Sequence, residues 1–145
     1  MRLGRYFTLD ELTVSQAASR LGLTNMPTEP ALENLRALVE NILDPLRALV
    51  ASPVVVNSGY RSVAVNKAVG GSASSQHRLG EAADIIVPGM PVKRVCEVIR
   101  SAGLPYDQLI NEFGSWVHVS YSQRHRRQFL KAVRHNGKTH YLPQD

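Results

Sequence analysis

The sequence predicts an α+β fold in which a small antiparallel sheet packs against helices. Apolar residues recur at spacings of three and four from Leu32 to Leu49, which is typical of an amphipathic helix. Short β-branched runs bounded by turn residues come later in the chain and favour strands. At 145 residues the chain is long enough to bury one core, so we expect a single domain over residues 1–145.

Two helical regions are expected before the first strand. Residues 8–11 have the form of a capping box, and helical spacing continues weakly through residues 16–21 until Gly22 can end it. Residues 28–30 start the main core helix, whose apolar face is expected to be scaffold. Pro45 lies inside this pattern, where it removes a backbone hydrogen bond and clashes with a carbonyl one turn earlier. We therefore expect a kink or a break there.

The next segments alternate between strands and short helices. Residues 53–56 predict a buried strand that ends in a turn, and Ser62 can cap a short helix that extends to Val69. Residues 82–87 predict a second strand, which places Ala82, Asp84 and Ile86 on one face. A helix is expected from Pro91 to Gly103.

The last third of the chain is predicted to be rich in strands. Residues 106–112 and 116–121 flank a three-residue loop that contains glycine, which indicates a hairpin. If Glu112 pairs with Trp116, then Ile110 faces His118, and Glu112 lies diagonal to His118 on the same face. Asn136 and Gly137 indicate a further hairpin near the C-terminus.

Composition limits the kinds of protein that this chain can be. The net charge of +5 favours anionic partners such as nucleic acid or a bacterial envelope. The chain has one cysteine, Cys96, so a disulfide framework or a thiolate metal site is not expected, and we predict that Cys96 is buried. No run of 18 apolar residues occurs, and the N-terminus has no apolar leader. We expect synthesis in the cytoplasm without a signal peptide, and no membrane insertion.

Two histidines and one aspartate have the chemistry of a catalytic metal site. Three protein ligands leave a zinc ion one open position for water, and His77, Asp84 and His118 can supply them. Gly80 can turn the chain between His77 and Asp84 so that both side chains point to one place. The H-E-x-x-H motif is absent, which excludes a thermolysin-like helical site.

The order and spacing of several short motifs resemble one peptidase family. Ser75-x-His77-x-x-Gly80-x-Ala82-x-Asp84, followed by Trp116-Val117-His118, is similar to the M15 family of zinc peptidases. That family includes D-alanyl-D-alanine carboxypeptidases, the dipeptidases of vancomycin resistance and phage endolysins, and the hedgehog signalling domain shares its zinc fold. Further blocks resemble its compact phage and prophage branch; they lie at residues 7–12, 34–35, 44–47, 58–62 and 107–110.

The resemblance implies a role for individual residues. It makes His77, Asp84 and His118 the zinc ligands, in a hedgehog or D-Ala-D-Ala peptidase-like fold. Arg61 matches the arginine after the first core strand, which would hydrogen-bond the scissile carbonyl or the oxyanion that replaces it. Ser75 matches a serine two residues before the first ligand, where it would either help to place substrate or serve only as a turn residue.

Three positions are compared as the place of the general base. Several family members carry an acid three residues before the last histidine, but this chain has Ser115 there. Glu112, six residues before His118, resembles the placement in hedgehog-like members and is our prediction for the base. Asp107 is the reserve candidate, although a turn-capping role suits it better.

The resemblance further implies zinc-dependent hydrolysis of peptidoglycan stem peptides, by an endopeptidase or a D,D-carboxypeptidase. We expect a monomer that acts on the cell wall, either as a phage endolysin or as a virion-associated enzyme. One alternative is a zinc-containing recognition or virion structural module without catalysis. Another alternative concerns the basic tail. It is either a patch that binds nucleic acid or the envelope, or simply a solvated edge strand. Of the two partners, nucleic acid is the less favoured. The tail cations are Arg124, Arg126, Arg127, Lys131, Arg134 and Lys138.

Overall fold

The structure is a computed structural model, and it describes residues 1–144. The first half is mainly helical. In chain order it contains α1 (Leu9–Thr13), α2 (Gln16–Leu21), α3 (Glu29–Leu38), a π-helical turn (Val39–Leu43), α4 (Asp44–Val50), β1 (Val55–Ser58) and α5 (Val63–Ala68). A 3-10 helix (Gln76–Leu79), β2 (Ala82–Ile86), α6 (Val92–Ser101), β3 (Gln108–Glu112), β4 (Trp116–Ser120), β5 (Gln128–His135) and β6 (Lys138–Pro143) follow.

The first helical region consists of two helices. The capping box at Thr8 is present, since its side chain accepts from the Glu11 amide and the Glu11 carboxylate accepts from the Thr8 amide. Helix α1 ends at Thr13, and Ser15 caps a separate helix α2. Gly22 ends α2 in the left-handed conformation, as the sequence predicts.

The main core helix passes Pro45 through a π-helical turn. The Asp44 amide bonds to the carbonyl of Val39, five residues earlier, so the helix widens just before the proline. This wider turn removes the need for the hydrogen bond that Pro45 cannot donate, and it relieves the clash with the Asn41 carbonyl. The expected interruption is therefore present as a local change of helix type. Buried side chains on this face are Leu35, Leu38, Val39, Ile42, Leu43 and Leu46.

Six strands form one mixed sheet in the order β1-β2-β4-β3-β5-β6. All neighbouring strands are antiparallel except β3 and β5, which run parallel. The prediction of a purely antiparallel sheet was therefore wrong at this pair. The segment after β4 crosses to the far side of β3, and residues between Ser120 and Gln128 make that connection.

Two strand predictions need correction. The first strand covers Val55–Ser58, two residues later than predicted. Val55 is exposed because its side chain lies on the face of β1 opposite to the buried Val56. Strand β5, expected to be a solvated edge, instead lies between β3 and β6, and Leu130 and Ala132 are buried. The final hairpin at Asn136 and Gly137 is confirmed, since both have positive φ angles in the turn between β5 and β6.

The two faces of the sheet have different roles. Ala83, Ile85, Leu109, Val117 and Val119 point into the core, where they join the buried faces of α3 and α6. Cys96 of α6 belongs to this core, as predicted. Alternate residues on the same strands face the opposite side, which the helices leave open. Among the helices of residues 1–144, none has both the length and the apolar character needed to cross a membrane.

Candidate functional site

The open face of the sheet brings the two histidines and the aspartate together. Asp84 of β2 lies directly opposite His118 of β4 in the antiparallel register. Asp84 Oδ1 is 3.0 Å from His118 Nδ1 and 3.3 Å from Nε2 of His77, which comes from the 3-10 helix. One ligand atom from each residue lies within 4.8 Å of the others. The three side chains predicted from the sequence therefore converge on one position.

Local backbone chemistry fixes the position of His77. Ser75 caps the 3-10 helix, and its hydroxyl accepts a hydrogen bond from the His77 amide at 3.2 Å. Gly80 ends this helix with φ of 76°, and a Cβ there would contact the carbonyl oxygen of Ala31 in α3. The turn between His77 and Asp84 therefore requires glycine both for its conformation and for close packing on α3. Ser75 acts on the histidine in this arrangement, and contact with substrate remains a prediction.

The hydrogen bond of His77 to the backbone determines which ring nitrogen is available. His77 Nδ1 lies 2.8 Å from the carbonyl oxygen of Gly59. A carbonyl only accepts, so Nδ1 carries the proton and Nε2 presents its lone pair towards Asp84. Burial lowers the pKa of His77, and the nearby Asp84 carboxylate only partly opposes that effect. The lowered pKa favours a neutral imidazole, which is the form that binds metals.

The carboxylate of Asp84 is held in its ionised form. Burial acts to raise the pKa of Asp84, but the hydrogen bond with His118 and the favourable interaction with the His77 imidazole outweigh burial and hold the pKa well below its usual range. Two imidazole nitrogens and one carboxylate oxygen, supported by a backbone carbonyl behind the first histidine, are a donor set that suits zinc. His77, Asp84 and His118 therefore fit a single divalent ion with one side open to the cleft.

Glu112 lies on the same face, beside the candidate metal position. Glu112 pairs with Trp116, and Ile110 pairs with His118, so the predicted hairpin register is confirmed. The diagonal position places the Glu112 backbone roughly 7–8 Å from that of His118, within reach of a carboxylate side chain. Burial raises the pKa of Glu112, His118 partly opposes that effect, and Asp84 adds a smaller contribution that raises it. Glu112 is placed where a general base could act on a water next to the metal position.

Arg61 enters the cleft from the segment after β1. Its Nε donates to Ser58 Oγ at 3.3 Å, and its Nη1 donates to Asn66 Oδ1 at 3.1 Å. The Arg61 amide also donates to the His77 carbonyl at 3.0 Å, which connects this segment to the 3-10 helix. A guanidinium has five N–H donors, so these side-chain bonds leave others for a ligand in the cleft. Burial lowers the pKa of Arg61, and nearby Asp84 opposes that effect.

Asp107 lies outside the site. It is fully buried, and both of its carboxylate oxygens bind Arg126, with Oδ2 2.9 Å from Arg126 Nη2 and 2.9 Å from Gln76 Nε2. Burial acts to raise the pKa of Asp107, but hydrogen bonds from Arg126 and Gln76 lower it to about 2. A carboxylate that is buried, ionised and engaged by an arginine makes a poor general base. This environment argues against Asp107 as the general base. It also gives Arg126, one cation of the basic tail, a partner inside the protein.

The cleft has a wall that the sequence reasoning missed. A cavity of about 830 Å³ contains the three candidate metal-binding residues, Arg61 and Glu112, and β5 and β6 form its far side. That side contributes Gln128, Leu130, Arg134, Thr139 and Tyr141. Alternation along residues 128–134 and the turn at Asn136 and Gly137 were available as signals for this hairpin. The parallel pairing that brings it beside Glu112 left no local signal.

Comparison with known proteins gives one family match. Residues 5–120 match the family model described as Peptidase M15, and this range covers more than half of the chain. The match includes the 3-10 helix and strands β1 to β4, and therefore every predicted site residue. No curated protein matches the chain.

Proposed function

Because the chain belongs to the M15 peptidase family, we propose that it is a zinc peptidase that hydrolyses stem peptides of bacterial peptidoglycan, as an endolysin-like endopeptidase or a D,D-carboxypeptidase. The observation that carries this proposal is the convergence of His77, Asp84 and His118 on one position at the bottom of a cleft. When bound there, zinc supplies Lewis-acid polarisation and acidification of water. Proton transfer and stabilisation of the oxyanion are assigned to side chains of the protein.

Glu112 is the proposed general base and acid. Its carboxylate takes a proton from the attacking water and later delivers that proton to the nitrogen of the leaving amine. This side chain lines the same cleft as the three candidate metal ligands and Arg61.

Arg61 is the proposed stabiliser of the oxyanion. Its guanidinium donates hydrogen bonds to the oxygen of the scissile carbonyl, which gains negative charge as the bond order falls. Ser58 and Asn66 hold the guanidinium, so little reorganisation is needed when substrate binds. Pre-positioned donors of this kind typically contribute roughly 10²–10³-fold to turnover.

The charge of the cleft supports an anionic polymer as substrate. Four arginines line it, while Asp84, Glu112 and the buried Asp107 are the acids of the same region. A bound divalent cation would make the region more positive still. Stem peptides carry carboxylates and are part of an anionic envelope, so a basic cleft favours their approach.

The proposal is tested on purified peptidoglycan. We expect release of new amino termini and stem-peptide fragments, loss of release with a chelator, and recovery when zinc is added. Glu112→Gln should retain zinc and lose about 10²–10⁴-fold in turnover, because it removes only the proton transfer. Mass spectrometry of the fragments identifies the bond that is cut.

Metal content provides an independent measurement. Wild-type protein should bind one zinc ion per chain, and His77→Ala should lower zinc affinity by orders of magnitude. His140→Ala is the matched control, because His140 is an exposed residue of β6. Stoichiometric zinc without release of any fragment would contradict catalysis and indicate a recognition module. Equal zinc binding by the two histidine variants would refute the metal site.

A further inference from the structure

The hairpin of β5 and β6 lies beyond the matched residues 5–120, yet one of its faces completes the cleft. Glu112 of β3 pairs with Ala132 of β5, and Ala132 pairs with Tyr141 of β6. Directly paired residues share a face of the sheet, so these three side chains form one row. Ala132 places only a methyl group in this row between Glu112 and Tyr141, and both Glu112 and Tyr141 line the cleft.

The pKa of Tyr141 reflects this position. Tyr141 is 52% exposed, and partial burial together with the negative charges of Glu112 and Asp84 raises its pKa. A phenol whose pKa is raised keeps its proton and acts as a hydrogen-bond donor at the pH of the cell. Thr139 lies two residues before Tyr141 on the same face of β6 and adds a second hydroxyl.

Arg134 pairs with Thr139 and extends the same face of the hairpin. Its guanidinium lies 5.0 Å from the ring centre of Phe113, and Phe113 packs edge to face on Trp116 at 5.8 Å. The aromatic contact holds the guanidinium beside the cleft, since an arginine on a ring face is favourable.

Arg134 forms no ion pair within the described residues, unlike two other arginines of the cleft. Arg124 and Arg126 both pair with Asp107. In the part of the chain that the structure describes, no carboxylate lies within ion-pair distance of Arg134. A guanidinium held beside a cleft without an internal partner can offer a planar pair of donors to a carboxylate of a ligand.

We propose that Arg134, with the hydroxyls of Thr139 and Tyr141, forms a subsite for a carboxylate that flanks the scissile bond of the peptide substrate. This inference rests on the proposed peptidase function and specifies the chemistry of its substrate. An acidic stem peptide is preferred over the same peptide with that carboxylate amidated. The subsite belongs to the C-terminal hairpin, so the selectivity comes from a part of the chain outside the family match.

Three synthetic peptides test the subsite. The first is the stem pentapeptide L-Ala–γ-D-Glu–L-Lys–D-Ala–D-Ala; the other two replace either the D-Glu α-carboxylate or the C-terminal carboxylate by a carboxamide. Cleavage is followed by mass spectrometry as kcat/KM. Binding is followed in the Glu112→Gln variant through the fluorescence of Trp116, the one tryptophan of the chain, which lines the cleft.

We expect one of the two amidations to lower kcat/KM and affinity about 10–100-fold in the presence of Arg134, which is the usual range for a charge-assisted hydrogen bond. Arg134→Gln should lose that preference, and Arg134→Lys should restore part of it. Lys131→Gln is the matched control. It removes one positive charge from the same strand but on the opposite face of the sheet, outside the cleft, and should keep the full preference.

The outcomes separate this inference from the peptidase proposal. Cleavage with equal rates on all three peptides, or an equal loss on acidic and amidated peptides in Arg134→Gln, overturns the subsite and leaves the peptidase intact. Binding of the acidic peptide that depends on Arg134, without any cleavage by the zinc-loaded wild type, supports the subsite and contradicts the peptidase. Neither binding nor cleavage overturns both.

Discussion

We predict that the buried carboxylate of Asp107 stabilises the fold, because it binds Arg126 of the C-terminal segment. It accepts from the Arg126 amide at 2.8 Å, from Arg126 Nη2 at 2.9 Å and from Gln76 Nε2 at 2.9 Å. These donors hold its pKa at about 2, against an ordinary value of 3.8. At 1.36 kcal/mol for each pH unit, the charged form contributes about 2 kcal/mol. Asp107→Asn keeps the shape of the side chain and removes the charge.

The sign of this contribution sets its pH dependence. The pKa of Asp107 is lower in the folded state than in the unfolded chain. The stabilisation is therefore complete above the unfolded pKa, near 4, and disappears as the pH falls through about 2. At pH 7 the free energy of unfolding of the wild type should exceed that of Asp107→Asn by about 2 kcal/mol. The Tm of the variant should therefore be lower by roughly 6 °C. The two proteins should converge as the pH falls below about 2, because the Asp107 carboxyl is half protonated at its folded pKa and becomes neutral only below it.

Urea unfolding followed by circular dichroism, at a series of pH values and in the presence of a chelator, measures the difference in the free energy of unfolding. The chelator removes any contribution from bound metal. Asp10→Asn is the control, because Asp10 is an exposed carboxylate of α1, and its change should stay within about 0.5 kcal/mol. A gap between wild type and Asp107→Asn that is the same at pH 2 and pH 7 would show that the ionised contact with Arg126 is not its source.

Three further predictions concern close packing, two of them beside the site and one in the core. In Gly71→Ala the new Cβ would overlap Asn66 Oδ1, which holds Arg61, and would lie 2.8 Å from Arg61 Nη1. We expect kcat/KM to fall about 10²-fold with zinc content unchanged, as metal analysis of the same samples would check. Gly80→Ala places a Cβ against the Ala31 carbonyl at a positive φ, so zinc affinity measured by chelator competition should weaken. Burial raises the pKa of Cys96 to about 12, so a thiol reagent should modify it only as fast as the protein unfolds; rapid labelling of native protein would contradict this.

Much of the candidate site could be predicted because its geometry is local to a hairpin. The turn at residues 113–115 sets the register of β3 and β4, and that register alone places Glu112 diagonal to His118. Asp84 was expected on a strand with Ala82 and Ile86 on its face, and β2 pairs with β4 so that Asp84 meets His118. The face that each side chain occupies follows from the two-residue period of a strand, whereas the pairing of β2 with β4 depends on tertiary contacts.

Other features could not be predicted from local pattern. The parallel contact of β3 with β5 joins segments connected by an irregular crossover, and such a contact is favoured only once both strands have been brought together. Asp107 likewise resembled a turn residue in the sequence. Its role depends on Arg126 and Gln76, which meet it only in the folded chain.

The sequence by itself determined the element types, the hairpin register and the residue types that can hold a metal, because these depend on short-range periodicity and on side-chain chemistry. Only the tertiary structure decided that β5 and β6 lie beside Glu112, that Arg126 is committed to Asp107, and that Arg134 is left with no internal carboxylate within residues 1–144. The physical reason is that pairing between distant strands and the partners of each charge depend on which surfaces meet when the whole chain buries its core.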